Sequence, residues 1–144
     1  MTKKPLVYLC AKIKESARPA NNTVAASLKA AGFAVYVPHE QAPNNPKDGR
    51  FDAAKIFELD FGAMQKSSLC VVVGDIGCDC SAEIGWFAGQ SIPIFHVPNG
   101  DTSWTNSPML IPFLTKYPMV PVLSKAGEMI SGFYLNGNKL CQTK

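Results

Sequence analysis

Apolar residues in this chain bunch into five short runs: Leu6 to Ala11, Phe33 to Val37, Leu69 to Val73, Ile92 to Val97 and Met119 to Leu123. Each has the length of a strand. VYLCA, LCVVV and IPIFHV are apolar at nearly every position, as in strands covered on both faces. Between the runs, helical spacing predicts helices over Asn21 to Ala31, Phe51 to Lys66, Ser81 to Gly89 and Ser124 to Leu135, with a short one over Pro108 to Lys116. Asn21 or Asn22 can cap the first helix, and Gly32 suits the position just past its end. Strands alternating with helices predict an α/β fold, a three-layer sandwich with helices on both faces of a parallel sheet. Five strands suggest the flavodoxin-like order 2-1-3-4-5, in which ligands sit beyond the carboxyl ends of the first and third strands. The polar, proline-rich stretch 39–50 (HEQAPNNPKDGR) is long enough to act as a flap over such a site.

Composition narrows the class. A chain of 144 residues, 47% apolar and 17% charged, reads as one globular domain spanning 1–144. The net charge of +3 is small, and Lys3, Lys4, Lys12, Lys14 and Arg18 are scattered without interleaved aromatics, which argues against a nucleic-acid polymer as partner. The opening MTKK leads into an apolar run too short for a signal core or a membrane span, so the expectation is a cytoplasmic protein with no membrane partner. The five cysteines are odd in number and irregularly spaced, unlike a disulfide framework. Cys10 and Cys70 read as small core residues. Cys78-Asp79-Cys80 lacks the second Cys/His pair that a metal site would need. No GxGxxG or P-loop is present, which argues against a Rossmann oxidoreductase or a kinase.

The candidate chemistry is carboxylate chemistry. After Leu69 to Val73 comes a loop with Gly74, Asp75, Gly77 and Asp79, then a helix opening at about Ser81 with Glu83 in its first turn. The positive end of a helix would keep Glu83 ionised, as suits a nucleophile. In the preceding helix, Ala53, Ile56, Phe57 and Met64 form an apolar stripe, and Asp60 falls on it. An aspartate there is costly unless it is paired, sits at the helix edge, or points into a pocket where burial raises its pKa and suits it to proton transfer. Two carboxylates from helices flanking one strand are the equipment for cleaving a glycosidic bond. His39 reads as a loop residue and His96 as a hydrogen-bonded sheet histidine. Trp86 and Phe87 can wall a pocket or pack in the core, and Trp104 can cover the site or a subunit contact.

These residues resemble the nucleoside 2-deoxyribosyltransferases and the related nucleoside 5′-monophosphate N-glycosidases over most of the chain. VYLCAKI is similar to the family's opening YLAGP-type strand and loop, with Tyr8 at the tyrosine position. LDFGAMQKSSLCVVV is similar to its D-x-x-x-(I/M/L)-x-x-(A/S)-D-x-V-(V/A)-V pattern, with Asp60 at the substrate-binding aspartate. SAEIGWFAGQSIPI is similar to E-(I/L/V)-G-x-A-x-x-x-x-K-P, with Glu83 at the nucleophile. NSPMLIPFL is similar to an asparagine-containing loop often supplied by a neighbouring subunit. The resemblance implies that Glu83 attacks C1′ of a 2′-deoxyribonucleoside to form a covalent deoxyribosyl-enzyme. Tyr8 would orient Glu83 by a hydrogen bond. Asp60 or a nearby acid would help protonate the departing base, and a second free nucleobase would take the sugar. It implies no metal and no organic cofactor, and a homo-oligomer. The substrate-binding candidates are Asp79, Gly77, Ser81, Cys10, Asn106 and Met109.

The chain departs from the pattern in places. The family commonly carries an aspartate six residues before the nucleophile. Position 77 is glycine here, and the nearest candidates are Asp79 and Asp75; DCSAEIG resembles DCGTAFEIG with two residues removed, which favours Asp79, a residue that can also serve as a helix N-cap. The first loop reads Cys10-Ala11-Lys12 in place of Gly-Pro, and Asn106 is offset from the loop asparagine, with Ser107 beside it. Two rival functions remain. A nucleotide hydrolase would use Lys12, Lys14 and Arg18, or Ser81 at a helix start, for a 5′-phosphate. A nucleotide-binding module would keep the pocket without turnover.

Overall fold

The computed structural model describes residues 3–141. Four parallel strands, β1 (Leu6–Ala11), β2 (Ala34–Tyr36), β3 (Leu69–Val73) and β4 (Ile94–Val97), form one sheet in the order β2-β1-β3-β4. Five helices surround it: α1 (Arg18–Ala30), α2 (Ala53–Lys66), α3 (Cys78–Gly89), the short α4 (Ile111–Leu114) and α5 (Ala126–Cys141). Alternation along the strands sorts the side chains between two cores. Val7, Leu9, Leu69, Val71 and Phe95 pack with Val24 and Leu28 of α1 and with Ala126 and Ile130 of α5. Tyr8, Cys10, Cys70, Val72 and Ile94 pack with Ala63 and Met64 of α2, with Cys80, Ile84 and Phe87 of α3, and with Leu114 of α4. Both faces of the sheet are covered, as its unbroken apolar runs require.

The fifth expected strand does not form, and the sheet has four strands instead of five. The segment Met119 to Leu123 runs beside β4 and makes one ladder bond, from Val120 N to His96 O at 2.9 Å. Extending a parallel ladder from that bond would need Pro118 N to donate to Ile94 O and Pro98 N to donate to Val120 O. Proline has no N–H, so these two bonds are lost, and only His96 N to Pro118 O and Val122 N to Pro98 O could extend the ladder.

Helix boundaries also shift. α1 opens at Arg18 with Pro19 in its first turn, so Asn21 is not a cap; its buried amide donates to Lys12 O at 2.9 Å. Its end is as expected. Gly32 has φ of 96°, Gly32 N donates to Lys29 O and Phe33 N to Leu28 O, which together make a Schellman motif. α2 opens at Ala53, where the Asp52 side chain accepts from Lys55 N at 3.1 Å. α3 opens at Cys78, three residues before Ser81, with Gly77 as its N-cap. Nothing in the Cys-Asp-Cys-Ser stretch resists helix, and the Ser81 hydroxyl folds back on Gly77 O at 2.9 Å. The last helix likewise starts at Ala126 and continues past Leu135.

Candidate active site

At the carboxyl ends of β1 and β3, on the α2/α3 side, the structure opens into a cavity of about 670 Å³. Asp60, Asp79 and Glu83 line it together with the aromatic rings of Phe57, Phe61 and Trp86. A neighbouring cavity of about 310 Å³ shares those three carboxylates and adds Lys12, Lys14 and Gly77. The loops after β1 and β3 are joined at its rim by an ion pair of Lys12 with Asp75, with Lys14 3.6 Å from the same carboxylate.

The stripe on α2 faces this cavity rather than a packed core. Only Ala63 and Met64 of α2 are buried, while Phe57 is 66% exposed and stacks on Phe61 at 5.1 Å between ring centroids. Phe61 in turn meets Trp86 edge-on at 5.4 Å. This explains Asp60: it lies on a helical face that lines an opening, where a carboxylate can be solvated and addressed. Burial still raises its pKa, and hydrogen bonding from Tyr36 and Asn44 partly offsets that.

Glu83 lies in the second turn of α3, not the first, because the helix begins early. The helix terminus is therefore not its main influence. Burial pushes its carboxyl up to about 7, partly opposed by the adjacent Cys10 thiol and Tyr8 hydroxyl and reinforced by the charges of Asp60 and Asp79. The expectation of a firmly ionised Glu83 is corrected accordingly. Beneath it, Tyr8 is wholly buried. Its hydroxyl faces Glu83 but makes no hydrogen bond of full geometry. Burial and the nearby carboxylates hold this phenol protonated, so it can donate toward Glu83 when that carboxyl is ionised.

The other sequence candidates divide. Asp79 and Gly77 line the cavities. Cys10 is fully buried, its thiol donating to Cys80 O at 3.6 Å with Cys70 and Glu83 also beside it, so it lies behind the carboxylate rather than at the ligand surface. Ser81 spends its hydroxyl on Gly77 O and lines neither cavity. Asn106 and Met109 are exposed and also lie outside the lining, Met109 at 72%. Trp86 walls the cavity, whereas Phe87 is buried against Tyr8 at 5.6 Å. Trp104 is buried against His96 rather than over the cavity. His96 is not hydrogen-bonded as expected: both ring nitrogens are buried without a partner, and burial lowers its pKa to about 4. His39 is buried in a turn and pairs with Asn22 Oδ1 at 3.0 Å. Among the described residues, no three His, Cys, Asp or Glu side chains are grouped as metal ligands.

Sequence reasoning missed Tyr36 and Asn44. The Tyr36 hydroxyl donates to Asp60 Oδ1 at 2.7 Å. Asn44 comes from the 39–50 stretch, is buried, and lines both cavities. The available signal was a polar-tipped aromatic closing the strand next to β1, in phase with Tyr8.

No family model matches the chain, and no curated protein matches it in sequence. The fold, however, is similar to that of the 2-deoxyribosyltransferase of the psychrotolerant bacterium Bacillus psychrosaccharolyticus, with a TM-score of 0.67. The match covers 85% of this chain and 90% of that one at 16% identity. At that identity the similarity is one of architecture.

Proposed function

We propose that this chain is a nucleoside 2-deoxyribosyltransferase that moves 2-deoxyribose between nucleobases through a covalent intermediate on Glu83. The observation that carries the reading is the pairing of Glu83 and Asp60 on the wall of one aromatic-lined cavity, with Tyr8 beneath Glu83. The fold shared with a 2-deoxyribosyltransferase supports it. In its ionised form, a Glu83 oxygen attacks C1′ of the bound nucleoside. The C1′–N bond breaks, its electron pair stays on the base nitrogen, and a proton reaches the base from the Asp60 side. The glycosyl ester is then attacked at C1′ by a nitrogen of the second base, whose proton returns to the Asp60 side as the C1′–O bond breaks and releases the Glu83 carboxylate. Desolvation sharpens the carboxylate as a nucleophile, and the Tyr8 phenol is placed to donate to it. The stacked Phe57 and Phe61 with Trp86 offer faces for a planar base.

Charge favours a neutral nucleoside over a 5′-monophosphate. The larger cavity is lined by three carboxylates and no lysine or arginine. Lys12 and Lys14, at the smaller one, are already engaged by Asp75. A phosphate entering here would meet net negative charge.

The test is to incubate the protein with 2′-deoxyinosine and free adenine, and separately with deoxynucleoside monophosphates, and to follow products by chromatography. Deoxyadenosine is expected in the first mixture, and its formation should be lost in Glu83→Ala. Free base and sugar phosphate in the second mixture alone would point to the hydrolase. No turnover in either would leave a binding module. Near wild-type transfer by Glu83→Ala would sink the mechanism.

A further inference from the structure

Each carboxylate of the pair is addressed by its own tyrosine, and the two tyrosines touch. Parallel pairing of β1 with β2 sets Tyr8 beside Tyr36, and their rings stack at 5.6 Å with an interplanar angle of 16°. Tyr8 faces Glu83, while Tyr36 donates to Asp60 Oδ1 at 2.7 Å. On the flap side, Asn44 lies against the same Asp60 carboxylate, its amide anchored to Pro38 O at 2.8 Å. Tyr36 itself lines neither cavity. Its hydroxyl therefore reaches a ligand through Asp60, while its ring packs on Tyr8.

We infer that Tyr36 is a positioning residue for Asp60: by occupying Oδ1 it fixes the carboxylate plane and leaves the proton that Asp60 handles to Oδ2. A carboxylate free to rotate would present either oxygen, and a proton on Oδ1 would be turned away from the ligand as often as toward it. With Oδ1 committed as an acceptor, only one oxygen remains for proton exchange. The phenol suits this task because burial and the adjacent Asp60 keep it protonated, so it remains a donor throughout the working pH range. The groups facing Asp60 are Tyr36 from β2, Asn44 from the turn after it, Tyr8 from β1, and Asp79 and Glu83 from α3. Only Tyr36 and Asn44 among these favour its ionised form, so removing the Tyr36 hydroxyl must move its titration upward.

The identity of the ligand rests on the deoxyribosyl-transfer reading; the Tyr36–Asp60 bond does not. The experiment therefore reads both. Tyr36→Phe keeps the ring and its stacking on Tyr8. Protein labelled with ¹³C at the aspartate carboxyls is titrated without substrate, the Asp60 resonance being assigned by its absence in Asp60→Asn. In Tyr36→Phe, Asp60 is expected to titrate at higher pH than in the wild type. The specificity constant kcat/KM is expected to fall about tenfold, the scale of one lost hydrogen bond to a charged group. In an Asp60→Asn background the same substitution should cost nothing further. An unmoved Asp60 titration, or an equal added loss in the Asp60→Asn background, would overturn the positioning role. A wild-type chain that transfers no deoxyribose would overturn the functional reading and leave the titration standing.

Discussion

Glu83 is destabilising in its charged form, and this makes it measurable before any substrate is known. Its carboxyl titrates near 7 in the folded chain against a usual value of 4.5. Between those values the folded state holds a proton that the unfolded state has already lost, so stability falls as pH rises through the window. The loss is complete above about 7 and amounts to at most about 3 kcal/mol. Glu83→Gln should therefore leave Tm nearly unchanged at pH 4.5 and raise it at pH 8; equal shifts at both would show that burial does not govern this group. The ionised form attacks, so kcat/KM for transfer should rise with pH through about 7. The sequence made Asp60 legible because a carboxylate on an apolar stripe is a physical anomaly. It did not make the ionisation of Glu83 legible, because that depended on where α3 begins. Tyr36 and Asn44 were hidden for a different reason: their link to Asp60 exists only once β2 is set in register beside β1.

Among the elements, the crossing of α1 and α5 is the most tightly specified. Gly127 N donates to Ser27 Oγ at 2.9 Å, and that hydroxyl donates in turn to Ser124 O at 2.9 Å. A β-carbon at position 127 would fall 2.0 Å from Ser27 O and 2.5 Å from Ser27 C, both backbone atoms that cannot swing aside. Gly127→Ala should cost about 2–3 kcal/mol, read as a drop in the denaturant midpoint; a loss under about 0.5 kcal/mol would mean that the helices can part freely. The four strands and the end of α1 at Gly32 were readable from apolar runs and one glycine, which are local signals. The absent fifth strand was not. Its apolar pattern is that of a strand, and what thins the ladder is Pro98, more than twenty residues upstream, which with Pro118 removes two of its donors. Proline inside a run is visible, but its consequence depends on which N–H must point at the neighbour.

For the molecule as a whole, the exposed apolar residues are the open account. Phe51, Phe57 and Leu59 around α2, with Met109, Met119 and Val122 elsewhere, are 40% to 72% exposed. Asn106 and Met109 are exposed outside the cavity lining of their own chain. The resemblance to a loop often supplied by a neighbouring subunit predicts that they act on a second copy, and the chain is expected to sediment as a dimer or larger. Glu83→Ala and Asn106→Ala proteins refolded together should then regain a fraction of the transfer activity that neither has alone. Monomeric sedimentation, or no recovery on mixing, would count against a shared site. No helix among the described residues is long and apolar enough to cross a membrane.

The single bond between Val120 and His96 has a consequence for how this molecule keeps company with others. A sheet margin with free N–H groups invites a foreign strand to add itself. Here the margin is occupied by a segment that pairs once and then stops. With Val120 turned toward β4, the neighbouring positions 119 and 121 face outward, and position 121 is a third proline, with no donor to offer. Pro121 thereby withholds one of the outward donors at this border, so an incoming chain finds fewer partners there than along a regular strand.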